Sequence, residues 1–328
     1  MGRLYKRKVH IAIGQEVGKE ETIIMPDTLH VIFDVTKTVT SQPNALRVMI
    51  FNLNRKSRQK IEAPLNIITV RAGYEDDLKG GKPENLPIVS RADVTFVRHR
   101  RFGGDFITEI EAGEGAVGYW ASFMYDGKKP EIIGYRVPPG SKITDVFDIL
   151  KTMFSDSQIG IAKTPIDRGF GVNPDFDDVV KAAVINATGS FGGETSKVYS
   201  PYFKNGKTWV GLAHEVMDRL AARHRLHWYL ENNILTIVPL EAFIKSGDSK
   251  TFTPQNGLRG LPSKLDDRST EIILNLNPAV VPWSPVSIKM NLEENQALNG
   301  TYKANKVVQR GDTDSSGDWD TIVEGIAP

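Results

Sequence analysis

Three segments from the first third of the chain return in its last third, in the same order. RVMIFNLN (47–54) aligns with TEIILNLN (270–277), and both end in Asn-Leu-Asn: Asn52, Leu53, Asn54 and Asn275, Leu276, Asn277. LNIITVRA (65–72) corresponds to PVSIKMNL (285–292). GDFITEIEA (104–112) corresponds to GDWDTIVEG (317–325), setting Gly104, Asp105, Phe106, Thr108 and Glu111 against Gly317, Asp318, Trp319, Thr321 and Glu324. One such match recurs by chance in any β-rich chain, but three in order favour a duplicated β-domain, and a missed repeat misassigns the whole fold. In each copy Gly-Asp is expected to form a turn with φ > 0, and the aromatic after it to start a strand facing the core.

The segments around these matches alternate as strands do. HVIFDVTKTV puts Val31, Phe33 and Val35 on one face and Asp34 and Thr36 on the other. ALRVMIFNLN, LNIITVRAGY, RADVTFVRHRR and GDFITEIEAG continue the pattern, and short strands at this spacing suggest a barrel or a sandwich. The middle differs. Ile143, Val146, Phe147, Leu150 and Phe154 keep helical spacing behind Ser141, and Trp209, Leu212, Val216 and Leu220 do so behind Thr208. HWYLENNILTIVP then reads as two strands around a Glu231-Asn232-Asn233 turn. A Gly-, Pro-, Asp- and Ser-rich excursion fills 159–207, with a strand near KAAVINA. Strand patterns return after about 241. The chain divides into a β-domain over 1–113, an α+β middle over 114–240 and a second β-domain over 241–328.

Composition removes several function classes. Lys+Arg 41 against Asp+Glu 40 leaves a net charge of +1, so no global field draws the chain to nucleic acid or membrane. With Cys 0 there are no disulfides, thiolate metal sites or cysteine nucleophiles, which fits a reducing compartment or a particle assembled inside a cell. The apolar part of MGRLYKRKVHIAIGQE is too short for a secretory signal, and no apolar run approaches the ~20 residues of a membrane helix. The expectation is a soluble protein without membrane insertion.

Local motifs carry little chemistry. Asp312, Asp314, Ser316 and Gly317 imitate an EF-hand opening, but the twelfth position is Val323 where a bidentate Glu is needed, and the flanks read as strands. Arg310-Gly311-Asp312 is a tripeptide of high chance frequency. GEGAVG (113–118) satisfies G-x-G-x-x-G, yet a strand-like run follows it and Glu114 would repel phosphates, so it reads as a linker. HEVMD (214–218) offers Asp218 where a zinc helix would have its second His. Glu109, Glu111 and Glu114 could be imagined as a glycosidase pair, but nothing else marks a cleft. Among the basic clusters, 3–8, 98–101 and 219–225, the residues Arg98, Arg100 and Arg101 are the best interface candidates. No catalytic, cofactor-binding or metal residue is assigned, and no cofactor is expected.

The order of RVMIFNLNRKSRQKI (47–61), ITVRAGYED (68–76) and GDFITEIEAGEG (104–115) resembles the start of baseplate hub proteins of contractile-tailed phages. Asn52, Leu53, Ser57, Arg58, Ala72, Gly73 and Tyr74 occupy that family's places. The helix-and-hairpin stretch TWVGLAHEVMDRLAARHRLHWYLENNILTIVP resembles its middle element. Gly257, Gly260, the Leu276-Asn277-Pro278 corner and the Gly317-Asp318-Trp319 strand resemble its closing barrel. The likeness covers most of the chain except about 159–205, and NLPIVSRADVTFV (85–97) departs from the short Gly-containing strand of many relatives.

This resemblance implies a mainly β fold with an α+β middle, in which two similar tube-like β-barrel domains flank a mixed α/β insert. It implies a structural, non-enzymatic baseplate hub: a homotrimer whose duplicated barrels form a pseudo-hexameric ring, since closed rings need matched interfaces. Such a ring joins a hexameric tail tube to a trimeric central spike and meets other baseplate and tape-measure proteins. DNA passes through its lumen as cargo without sequence readout. Its place would be the virion, in the tail baseplate, after assembly in the host cytoplasm. Two other classes stay open: a tail-associated cell-wall hydrolase using paired carboxylates, marked by a cleft with one raised carboxyl pKa, and a free-standing monomeric binding module.

Overall fold

The computed structural model describes residues 6–15, 19–62, 66–78, 81–116, 133–137, 160–161, 207–211, 213–223, 226–239, 250–290 and 297–327. The helix expected over 141–154 and nearly all of the 159–207 excursion, including KAAVINA, lie outside the described residues. The chain forms two compact units, one from 1–39, 44–114 and 243–328 and the other from 40–43 and 115–242.

The first unit opens with β1 (Arg7–Gly14), β2 (Glu21–Ile24), β3 (Val31–Thr38) and β4 (Ala45–Phe51), then helix α1 (Arg55–Ile61). β5 (Ile67–Tyr74), β6 (Ile88–Phe102) and β7 (Asp105–Gly113) follow. The second unit holds β8 (Ile133–Val137), β9 (Gly160–Ile161), β10 (Lys207–Gly211), α2 (Ala213–Arg223), β11 (Leu226–Glu231) and β12 (Ile234–Pro239). The chain then supplies β13 (Lys250–Phe252), β14 (Leu258–Lys264), β15 (Ser269–Asn275), β16 (Pro285–Ile288), β17 (Gly300–Asp312) and β18 (Trp319–Ile326) to the first unit. Most of the described structure is strand, and no helix of it is long and apolar enough to cross a membrane.

The strands from both ends of the chain join one 13-stranded, predominantly antiparallel sheet. Its path runs β14-β15-β18-β17-β3-β4-β7-β6-β5-β1-β2, with β16 beside β17 and β13 beside β16. Two runs of neighbours share one plan. In the first, β3, β4, β7, β6, β5 and β1 lie side by side; in the second, β14, β15, β18, β17, β16 and β13 do. The strands carrying the sequence matches correspond in order, β4 with β15, β7 with β18 and β5 with β16, but only the β7–β18 match keeps its register. Glu324 faces Glu271 where Glu111 faces Arg47, one residue past the aligned Thr270, and Pro285 takes the place of Ile67 rather than Leu65.

A shared irregularity strengthens the correspondence. The β6–β7 ladder steps from Val94↔Ala112 to Phe96↔Glu111, leaving Thr95 as an extra residue. The β17–β18 ladder steps from Ala304↔Gly325 to Lys306↔Glu324, leaving Asn305 extra. Ala112 and Glu111 are the residues that the sequence alignment sets against Gly325 and Glu324. Bulges of this kind are retained features of a fold rather than defects. The two runs also differ: β13 pairs with β16 in parallel, whereas β1 pairs with β5 antiparallel.

Alternation places the core. Along β3, Val31, Phe33, Val35 and Lys37 point inward, and along β4, Leu46, Val48 and Ile50 do. These join Ile11, Val70, Ile110 and others in one cluster, to which the far end of the chain contributes Leu276 and Trp319. Each fully buried Val, Leu, Ile or Phe stabilises the fold by roughly 1.5–3 kcal/mol. A second cluster gathers Ile272, Leu274, Val286, Val307 and Val323.

The two Asn-Leu-Asn corners do related work. Leu53 and Leu276 are both buried. The Asn54 side chain accepts from the Ser57 amide at 2.9 Å and caps α1. The Asn277 side chain accepts from the Ala279 amide at 3.2 Å, an Asx turn beside Pro278, and no helix follows among the described residues.

Two local expectations are corrected. The positive φ of the first Gly-Asp turn belongs to Gly103, at φ 60°, one residue before Gly104. Gly317 is not among the positive-φ glycines; it is needed for space, because a Cβ there would overlap the Asp312 side chain. The helix expected from Trp209 begins instead at Ala213, and Lys207–Gly211 is a strand paired with Ile133–Val137. Thr208-Trp209-Val210 is β-branched and aromatic, so its strand preference outweighs the helical spacing. The expected hairpin forms as β11 and β12 around Asn232 and Asn233, both at positive φ.

Candidate functional site

The polar loop Gly311–Gly317 joins β17 to β18 and is held from within. Asp312 Oδ1 accepts from His30 Nε2 at 2.7 Å and from the Asp314 amide at 2.8 Å. Asp314 Oδ1 accepts from the Ser316 amide at 3.0 Å and hydroxyl at 2.9 Å, and these bonds hold the Asp314 carboxyl below its usual range. Arg7 spans the loop, donating to the carbonyls of Asp312, Asp314 and Gly317 at 3.0, 2.6 and 2.9 Å. Its guanidinium lies 5.5 Å from the Trp319 ring centre. The acidic residues thus serve as acceptors for the loop's own donors. Addition of a calcium chelator is expected to leave the melting temperature unchanged, as a thermal scan in both buffers would show.

Beside this loop an open groove of about 730 Å³ is lined by Lys6, Arg7, Lys8, Tyr74, Arg259 and Trp319, among others. Its charges are largely committed. Lys6 pairs with Glu75 at 3.2 Å, Lys8 with Asp27, and Arg259 approaches Asp320 at 3.6 Å. Burial pushes the Tyr74 phenol up to about 12, so it stays protonated. Burial and the nearby Asp318 charge also raise the Asp320 carboxyl. Asp320 does not line the groove. The raised carboxyl of Asp320 thus lies outside the groove, near the Asp318 and Asp34 charges.

The two glutamate carboxylates of β7 share the Arg47 guanidinium but differ in exposure. Glu109 is 1% exposed, whereas Glu111 faces solvent. The flanking strands β4 and β6 set Arg47 and Arg98 beside Glu109; Arg98 Nε donates to it at 3.1 Å and Arg100 approaches at 3.6 Å. The hydrogen bonds from Arg98 and Arg47 hold the Glu109 carboxyl down at about 2, against an ordinary 4.5. A depressed carboxyl stabilises the fold fully above about 4.5 and loses that effect as pH falls toward 2. Both arginines are half-exposed, so Glu109→Gln is expected to cost only ~1 kcal/mol at neutral pH. The gap from the parent should close near pH 2 in paired denaturation curves. Glu109 therefore acts as an ion-pair centre, a role visible in sequence only once β4, β7 and β6 are known to be neighbours.

The other sequence candidates fall at turns and strand ends. Asn52, at φ 56°, donates through its side chain to Asp105 at 2.8 Å and accepts from the Phe106 amide at 3.0 Å. Thr108 meets His99 Nδ1 at 3.1 Å, and the Thr321 hydroxyl accepts from the Asn277 amide at 2.9 Å. The Asn275 amide donates to the Gly257 carbonyl at 2.7 Å. Phe106 is half-buried under the Arg58 guanidinium, 4.0 Å from the ring centre. Trp319, its counterpart, is buried against Phe33 and Tyr74 in edge-on contacts at 5.9 and 6.4 Å. Arg101 is exposed beside Arg98 and Arg100 on β6. Among the described residues no group of three or more His, Asp and Glu side chains is placed to hold a metal ion.

No protein-family profile matches the chain, and no curated protein matches it in sequence. Solved structures do match. A 43 kDa tail protein of prophage MuSo2 from Shewanella oneidensis superposes with a TM-score of 0.57 at 10% identity, over 98% of this chain and 98% of that one. A tail protein from Neisseria meningitidis MC58 gives 0.54 at 10% identity, over 98% and 97%. At such identity the likeness concerns fold alone, and it runs the length of both chains: this protein has the fold of those two tail proteins.

Proposed function

We propose that this chain is a structural tail protein of phage type, and specifically a baseplate hub. Three copies would form a ring of six related domains that joins a sixfold tail tube to a threefold central spike and lets DNA pass. On this reading residues 1–113 and 241–328 are two copies of one tube-like barrel domain, and 114–240 is a mixed α/β insert. The observation that carries the reading is the double run of strands with the same neighbour order and the same bulge, within a fold matched end to end by tail proteins. A duplicated domain gives three chains six near-equivalent positions, which is what a symmetry adaptor requires. A role in the virion tail without enzymatic activity agrees with a groove whose lysines and carboxylates are paired to one another. The spike, tube, other baseplate and tape-measure proteins are the proposed partners.

Light scattering of the purified protein tests this directly. A mass of three chains is expected, and a strict monomer, even with a spike partner present, would overturn the hub.

A further inference from the structure

The two runs of strands meet at one junction, where β3 pairs antiparallel with the second half of β17, from Lys306↔Thr38 to Asp312↔Ile32. β17 is long enough for two partners on that edge: β16 takes 300–303 and β3 takes 306–312. Its counterpart β6 is longer still, at 15 residues, but β5 covers only 88–93 of it. Among the described residues no strand pairs with the same edge of β6 beyond Asp93. At one end of the sheet β14, the counterpart of β3, pairs among the described residues only with β15. One repeat therefore offers the docking edge that the other fills, and each run ends on the half of the junction that it lacks.

Exposed apolar side chains of the described residues gather on those two edges. Among the described residues, five large hydrophobics are exposed: Phe96 and Phe102 on the open half of β6, Leu261 and Leu265 on or next to β14, and Met25 after β2. Phe106 also lies half-buried, whereas Trp319 is covered by Phe33 of the docked β3. An open edge carrying apolar side chains is a template for another strand, and native proteins cover or blunt such edges.

We infer that β14 of one copy of this chain docks antiparallel on the Phe96–Phe102 half of β6 of the next copy, repeating between chains the β3–β17 junction within a chain. This rests on the hub reading and names its interface. The register follows by equivalence. Glu111 and Glu324 correspond through the bulge; Arg47 faces Glu111 and Asp34 faces Arg47, while Glu271 faces Glu324 and Ser263 faces Glu271. Ser263 thus stands where Asp34 stands. Arg100 stands where Arg310 stands, facing Ile107 as Arg310 faces Asp320. Asp34 and Arg310 are opposite one another and ion-paired at 3.3 Å, so Ser263 of one chain comes opposite Arg100 of its neighbour. Pro262 and the irregular stretch between Arg259 and Ser263 interrupt the new ladder on its far side, which limits it to a short run.

Cysteine pairing tests this on a background of no native cysteines. Opposed residues of an antiparallel pair have Cα atoms ~4.5–5.5 Å apart, within disulfide reach. Two differently tagged chains, one Ser263→Cys and one Arg100→Cys, are co-expressed, purified and oxidised. A covalent two-chain species carrying both tags is expected, with neither variant alone forming it. Asp34→Cys with Arg310→Cys in a single chain should close internally and controls for the geometry. Leu261→Glu with Phe102→Glu should lower the assembly to monomers without changing the far-ultraviolet spectrum. A three-chain assembly that never cross-links, while the control closes, overturns this pairing and leaves the hub standing. A chain that remains monomeric overturns both.

Discussion

Glu114→Ala is expected to destabilise the first unit by ~3–5 kcal/mol, the range for breaking a buried ion pair from one side. The carboxylate is fully buried and lies 3.2 Å from the equally buried Lys37 ammonium. It also accepts from Ser90 at 2.7 Å and from Asn44 at 2.9 Å. Strict alternation along β3 carries Lys37 inward behind Val31, Phe33 and Val35, so the ammonium cannot turn to solvent without moving the strand. Removing the carboxylate leaves a cation where water cannot replace its partner. Lys37→Met with Glu114→Leu should recover most of the loss, because two apolar groups need no counter-charge. Urea denaturation of the three variants measures this. A single variant within ~1 kcal/mol of the parent would show that the pair does not anchor the strand.

The second large effect is expected at Trp319, where Trp319→Ala should cost ~3–5 kcal/mol by opening a cavity among packed aromatics. The ring sits in the core built mainly from the first third of the chain, against Phe33 and Tyr74 and under Arg7. It is a place where the two runs of strands share a core, so its loss should loosen their junction. Phe106→Ala removes the counterpart aromatic, yet that ring is only half-buried in the single chain, and ~1 kcal/mol is the expected cost. The asymmetry between equivalent residues is itself diagnostic. In an assembled ring with β14 docked nearby, the Phe106 substitution should instead weaken association.

Much of the first unit was legible in the sequence because alternation and turn chemistry are local. Val31, Phe33 and Val35 turn inward as their spacing requires, and the three matched segments occupy equivalent strands. The pairing of β3 with β17 was not legible. Similarity between segments says which strands correspond, but not which strand of one copy touches which of the other. The Glu109 cluster stayed hidden for a related reason: Arg98 lies across one hairpin from Glu109, but Arg47 is 62 residues away and joins them only through the β4–β7 pairing. At Trp209 helical spacing competed with strand preference over a few residues, too short a window for periodicity to decide.

Two copies of one domain per chain are proposed to build a sixfold-like ring from three subunits. Averaged electron-microscope images of the assembly, viewed down its axis, test it most directly. Three identical chains around a central opening are expected, bordered by six similar lobes that alternate in detail, with true threefold symmetry. A closed twofold dimer, or single particles without an opening, would contradict it.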